Sequence, residues 1–233
     1  MIIMDKPMAH EKLIIRRRSD MTSYNTKRLQ RPLIICVLVI LVAVIISQAT
    51  GLSFETLSED ASMSSSRTWL TGALSTLGII LFAMAAGILF FAVSIRKRMG
   101  ISKRNNPAFW LAVCSFLLLL DDAFQIHETL SSHVFNIPDW VIQIAIGQII
   151  ILTLIIFRSA IQSSFVFALP AIFCWAASVL IDLLSDQFAL SLILLEDSLK
   201  LLGIFFWLQL AIDIGRRSLE NAINSNAKLL EPS

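Results

Sequence analysis

Charge is scarce in this sequence: Asp, Glu, Lys and Arg fill 15% of its 233 positions, against about a quarter in soluble domains. With 56% hydrophobic residues and a mean hydropathy of +0.76, that scarcity excludes an ordinary soluble domain and points to a bilayer. Cysteine is nearly absent. Cys36, Cys114 and Cys174 lie inside apolar runs and share no close spacing, which excludes a disulfide framework or a thiolate metal site. Glycine-rich phosphate loops, a G-x-S-x-G elbow, a Gly-Asp pair of the intramembrane aspartyl protease kind and nucleic-acid signatures are all missing. Only an N-terminal arm, the loop 53–68 and a short C-terminal tail are polar, so no soluble catalytic domain is expected.

What the chain does have is long apolar runs. Six of them approach or exceed the ~18–20 residues that span a hydrocarbon core. They fall at about 33–52, 69–95, 109–130, 139–158, 164–186 and 189–214, with boundaries good to roughly 2–4 residues. Continuous runs, not alternation, select helices over a barrel. The expected fold is all-α: a polytopic transmembrane bundle of one domain over 33–215, with a basic arm at 1–32 and a tail at 216–233.

Basic residues orient this bundle. Of 19 Lys and Arg, eight precede Leu33 and five lie in 96–104. Arg158, Arg216, Arg217 and Lys228 fall on the same side if six helices alternate. Arg67 alone lies in a loop on the other side, and Lys200 is inside a helix. This bias predicts an inner-membrane protein with both termini cytoplasmic, its basic arm near anionic lipid headgroups. An alternative start at Met21 would make the first run resemble a signal peptide ending near Ser47-Gln48-Ala49; a retained helix is expected.

The stretch 117–133, LLLLDDAFQIHETLSSH, interrupts this apolar pattern. In the expected topology, Asp121 and Asp122 lie about 12–15 Å below the outer boundary of the third helix. Asp182 and Asp186 sit near the outer end of the fifth, sharing a face with Ser178. In LLEDSLKLLG, Glu196 and Asp197 lie about 10 Å and Lys200 about 16 Å below the same boundary. Three helices thus bring their ionisable groups to one leaflet. On a regular helix Asp121, Gln125 and Glu128 form one stripe, Asp122 flanks it, and His127 points away. Glu196 and Asp197 are spaced to reach Lys200 at i,i+4 and i,i+3.

Seven carboxylates in that leaflet face one Lys and one or two His. Such carboxylates must be protonated, hydrated or matched by a cation. Three readings are open. In the first, Asp121, Asp122, His127 and Asp197 hold a divalent metal, with Glu128 or Glu196 as base and Lys200 stabilising negative charge in hydrolysis of a lipid-like substrate. HETLSSH is not H-E-x-x-H, and no Glu-x-x-His pair of the di-iron kind exists. In the second, the carboxylates relay ions or protons, with Gln143, Gln148 and Thr153 of the fourth helix lining part of a path. In the third, a buried network only pins helices together. Asp213, beside Arg216 and Arg217, reads as an ordinary boundary ion pair. Membrane lipids are the expected partners; whether the protein is an enzyme is open.

LLLLDDAFQIHE and LLEDSLKLLGIFFWL resemble paired helices of small, uncharacterised bacterial multi-pass membrane proteins. There an acidic-pair…His-Glu helix is followed by an acidic-pair…Lys helix ending in Leu-Gly. The resemblance covers about 30 residues and implies no established activity. More loosely, the chain is similar to the alkaline ceramidase-like membrane hydrolases, whose Asp, His and Ser hold a zinc. It has six expected spans where those have seven, and no late His-x-x-x-His pair.

Overall fold

Backbone groups in lipid find no water, so apolar runs of this length close their hydrogen bonds within helices. The computed structural model describes residues 7–58, 68–100, 106–126, 138–188 and 192–230. Side chains at 7–26, 139–140, 183, 185–188 and 226–230 fall outside that description. The described residues form α1 (Pro7–Thr50), α2 (Phe54–Ser58), α3 (Ala73–Arg98), α4 (Pro107–Phe124) and α5 (Asp139–Ile156). There follow the short α6 (Arg158–Ile161), a 3-10 turn (Gln162–Ser164), α7 (Phe165–Phe188) and α8 (Ile193–Leu230).

Five of these are long and apolar enough to cross a membrane: Lys27–Thr50, Ala73–Arg98, Pro107–Phe124, Arg158–Asp182 and Ile193–Ser225. They fit a multi-pass integral membrane protein. Six spans were expected; the run at 139–158 yields Val141–Ile156, apolar but shorter than the other five. Neither end of the bundle follows the expected breaks. α1 runs unbroken through Leu33, with Pro32 inside it, and α8 continues well past 214. A proline inside such a helix removes one backbone donor, which lipid-spanning helices tolerate when neighbours re-satisfy the freed carbonyl.

Local chemistry sets the element ends. Asn106 caps α4, its side-chain oxygen accepting from the Ala108 amide at 3.1 Å, and Pro107 occupies the first turn, where its missing N–H costs nothing. α3 finishes in Arg96, Lys97 and Arg98, which suit a helix C-terminus. α4 stops at Phe124, six residues before the expected end. Gln125 there takes a left-handed conformation, φ 49° and ψ 45°, while its N–H still reaches the Asp121 carbonyl. For a residue with a Cβ this conformation costs roughly 1–2 kcal/mol.

α8 is the central post, packing on α7, α3, α1 and α4. Two close approaches make this possible. A Cβ at Gly203 would sit 2.5 Å from the Trp175 ring, and one at Gly215 would sit 2.9 Å from Ile88 Cγ2, as small residues at membrane helix interfaces do. Between α4 and α8 the buried Trp207 donates from Nε1 to Ser115 Oγ at 2.9 Å. Ser115 donates in turn to the Leu111 carbonyl at 2.8 Å, so every polar atom in this part of the core is matched. The three cysteines are free and buried, as expected of small apolar residues. On the outside, Ile34, Val37, Leu41, Ile45, Phe91 and Phe173 stay exposed, the surface lipid requires.

Candidate functional site

The site lies at one end of the bundle, where α4 finishes, α7 finishes and α8 begins. Asp121 and Asp122 arrive on the last turn of α4, and Glu196 and Lys200 on the first two turns of α8. Together with Asp182 and Ser178 of α7 and Gln143 of α5, they line a cavity of about 340 Å³. Phe82, Gly147, Trp175 and Val179 are among the residues that complete the wall. Four carboxylates and one ammonium therefore share one cavity in an apolar bundle. The convergence expected from residue counting holds for these five ionisable side chains.

Lys200 Nζ lies 3.3 Å from Asp122 Oδ1. Asp122 is only 12% exposed and Lys200 49% exposed, so water screens the pair from one side and its contribution is about 1 kcal/mol or less. Gly78 of α3 makes room for that carboxylate: a Cβ there would lie 3.3 Å from Asp122 Oδ2. Trp175 is fixed by three neighbours. Its ring packs on Trp207 at 5.4 Å and Phe82 at 6.1 Å, and Gly203 lets it sit flush against α8. The cavity wall is thus held by the same contacts that hold the core.

Two expectations are corrected here. Asp197 does not line this cavity. It faces a smaller one of about 40 Å³ on the other side of the Asp122–Lys200 pair, with Ser75, Gly78, Ser198 and Ile40. Glu196 and Asp197 are consecutive, so ~100° of helix rotation separates them. In the expected stripe Asp121, Gln125, Glu128, Gln125 leaves the helical conformation and so does not continue the Asp121 face as drawn. His127, Glu128 and His133 lie outside the described residues, as does the Asp186 side chain. Among the described residues, no three of His, Cys, Asp and Glu are grouped to hold a metal ion; the proposed ligands Asp121, Asp122 and Asp197 therefore form no such set.

An apolar groove adjoins the acidic cavity. It measures about 510 Å³ and runs between α5 and α7, past Ile144, Ile151, Ile172 and Ala176. Gln143, Gly147, Ile150, Trp175 and Val179 line both spaces, so the two adjoin along one shared wall. The groove exists because α5 leans on α4 and α6 and makes little contact with α7. Nothing lies within 4 Å of where a Gly147 Cβ would be.

A second polar centre, at the opposite end, was only partly foreseen. Asp213 is 4% exposed. Arg28 of α1 donates to its Oδ1. Ser164 donates to Oδ2 at 2.7 Å, and Arg217 Nε lies 3.1 Å from the same oxygen. The Arg28 guanidinium also stacks over Phe167, 4.7 Å from its centroid. Arg217 was anticipated; Arg28 and Ser164, 185 and 49 positions away, were not. The only sequence signal was a lone carboxylate among Leu, Ala and Ile.

No curated protein and no solved structure matches the chain. Residues 33–214, which include the acidic cavity and Asp213 with Ser164 but not Arg28 or Arg217, match the family described as a domain of unknown function (DUF8692), and the chain belongs to that family.

Proposed function

We propose that the protein binds a cationic amphiphile, an amine-bearing lipid-like molecule, with its head in the acidic cavity and its tail in the groove. The single observation that carries this reading is that an acidic cavity and an apolar groove adjoin, sharing Gln143, Gly147, Ile150, Trp175 and Val179. Asp121, Asp122, Asp182 and Glu196 outnumber Lys200 and favour a positive head. The Trp175 ring at the junction offers a π face to an ammonium. Both volumes fall within the ~300–1,000 Å³ of ordinary ligand sites. Each is far larger than a bare ion needs.

The frame for this reading is a six-span inner-membrane protein with α5 as its shortest span and both termini cytoplasmic. Arg28 near the start of the first span reaches Asp213 near the end of the last. Arg96 at the end of α3 donates to Ser218 of α8 at 3.3 Å. Those contacts gather the basic ends on one side, as the positive-inside rule requires. The acidic cavity then opens in the outer half.

Conduction is less well supported. Between the cavity and Asp213 the bundle is filled by Leu111, Ala112, Cys114, Ile204, Trp207 and Leu210, all buried. A metal-dependent hydrolase needs a ligand set that the described residues do not assemble. The size and lining of the two adjoining spaces favour binding.

The test is thermal stability of the purified protein in mild detergent, titrated with dodecylamine. The amine should raise the unfolding midpoint saturably, and lauric acid, of equal chain length, should not. Gly147→Leu, which fills open space in the shared wall, should keep the basal midpoint and lose the shift. Equal shifts from amine and acid would refute the reading.

A further inference from the structure

The basic end of the bundle carries a cavity of its own. Lys27, Arg28 and Arg31 of α1 and Gln209, Ile212, Asp213 and Arg216 of α8 enclose about 330 Å³. The spacing explains the convergence. Positions 27, 28 and 31 share one face of α1, and 209, 212, 213 and 216 share one face of α8. Where those faces meet, the helices leave a concave space and not a flat ring of charge.

Charge in this space is unbalanced. Four cations face it with one carboxylate, and that carboxylate is already committed. Asp213 accepts from Arg28 on one oxygen and from Ser164 on the other, and that second oxygen also lies in ion-pair range of Arg217. Arg216 Nε lies 3.6 Å from Glu220 Oε1 on its outer side. Its Nη2 lies 3.9 Å from Asp213 Oδ1, so it spans the rim. Lys27 and Arg31 have no ion-pair partner among the described residues. Asp213 thus behaves as a brace: it holds Arg28 in place at the base and leaves the remaining positive charge facing open space.

We infer that this cavity binds a phosphate group, supplied by the headgroup of an anionic phospholipid. A phosphodiester offers two charged oxygens that guanidinium forks and an ammonium can share. Basic pockets between membrane helices at the basic face recognise such headgroups. The cavity lies where the apolar run of α1 begins, beside the exposed apolar face marked by Leu33, Ile34 and Ile35. Free phosphate presents the same chemistry without the acyl chains. The inference is independent of the amphiphile reading, whose site is at the other end of the bundle.

The experiment is a thermal-shift titration of the full chain in mild detergent with three probes: dihexanoyl phosphatidylglycerol, dihexanoyl phosphatidylcholine and inorganic phosphate. Phosphatidylglycerol should stabilise saturably, with phosphatidylcholine weaker. Lys27→Gln with Arg31→Gln should keep the basal midpoint, since both residues are exposed. That variant should weaken the apparent phosphatidylglycerol affinity by about tenfold. Lys97→Gln, an exposed cation at the same end but outside the cavity, should leave it unchanged. If the double variant fails to fold, Arg31→Gln alone carries the comparison. An equal loss in Lys97→Gln would mean diffuse attraction and overturn the site. Phosphatidylglycerol no better than phosphatidylcholine would overturn it too. Inorganic phosphate binding as tightly as phosphatidylglycerol would keep a phosphate site but overturn its assignment to lipid.

Discussion

Asp213→Asn is the most informative single change to the frame. Asn keeps the size of the side chain but removes the charge that Arg28 and Arg217 face, and turns one acceptor into a donor. Removing one partner of a fully buried ion pair costs about 3–5 kcal/mol. Here the Arg28 side chain is 15% exposed and that of Arg217 36%, so water relieves Arg217 more than Arg28. The expected loss is therefore at the lower edge, about 3 kcal/mol. Arg216, at 3.9 Å and 59% exposed, adds little. Reversible unfolding in mixed micelles with rising dodecyl sulfate, followed by tryptophan fluorescence, would measure it. A double-mutant cycle with Arg28→Met isolates the long-range pair, with an expected coupling of about 2 kcal/mol. A loss for Asp213→Asn below about 1 kcal/mol would equate the node with a surface ion pair and refute this account of how α1 is tied to α8.

Four further outcomes follow from the same geometry. Ser164→Ala removes one donor but leaves Asp213 both guanidiniums, so it should cost about 1 kcal/mol; a loss as large as that of Asp213→Asn would contradict this ranking. Gly203→Ala drives a Cβ into the Trp175 ring and should cost about 1–3 kcal/mol, with a shift in tryptophan emission as the ring moves. Lys200→Met leaves Asp122 without its cation, so it should be less stable than the Asp122→Asn, Lys200→Met double variant; the reverse order in the unfolding assay would contradict the pairing. Trp207→Phe deletes the bond to Ser115 while Ser115 keeps Leu111, and should cost about 1 kcal/mol by the same assay.

The helices and the gathering of charge were legible because both depend on local quantities. Run length identifies a span, and counting 1.5 Å per residue from its end gives the depth of Asp121, Asp182, Glu196 or Lys200. The failures come from elsewhere. Projecting Gln125 onto the face of Asp121 assumed an unbroken helix, and nothing in its neighbourhood announces the left-handed turn there. Asp197 was grouped with Glu196 because both are spaced to reach Lys200, although consecutive helical residues face different ways. The Arg28–Asp213 pair depends on α1 packing beside α8, a choice among helices that single-chain patterning does not make. The groove was invisible for a related reason: it is set by the distance between α5 and α7, and distance has no periodicity. The Leu-Gly in LLEDSLKLLG was visible, but its meaning required Trp175 opposite.

Photolabelling offers the most direct view of the central claim, that cavity and groove together hold a cationic amphiphile. A long-chain primary amine with a diazirine midway along its chain would be irradiated with the protein in lipid nanodiscs, and the labelled residues mapped by mass spectrometry. Labels should concentrate at 143–151 and 172–179, the groove walls, and fall away in an Asp182→Asn, Glu196→Gln variant. Labels spread evenly over α1 and the rest of the lipid-facing surface, or a matching carboxylate probe that labels the groove equally well, would contradict it.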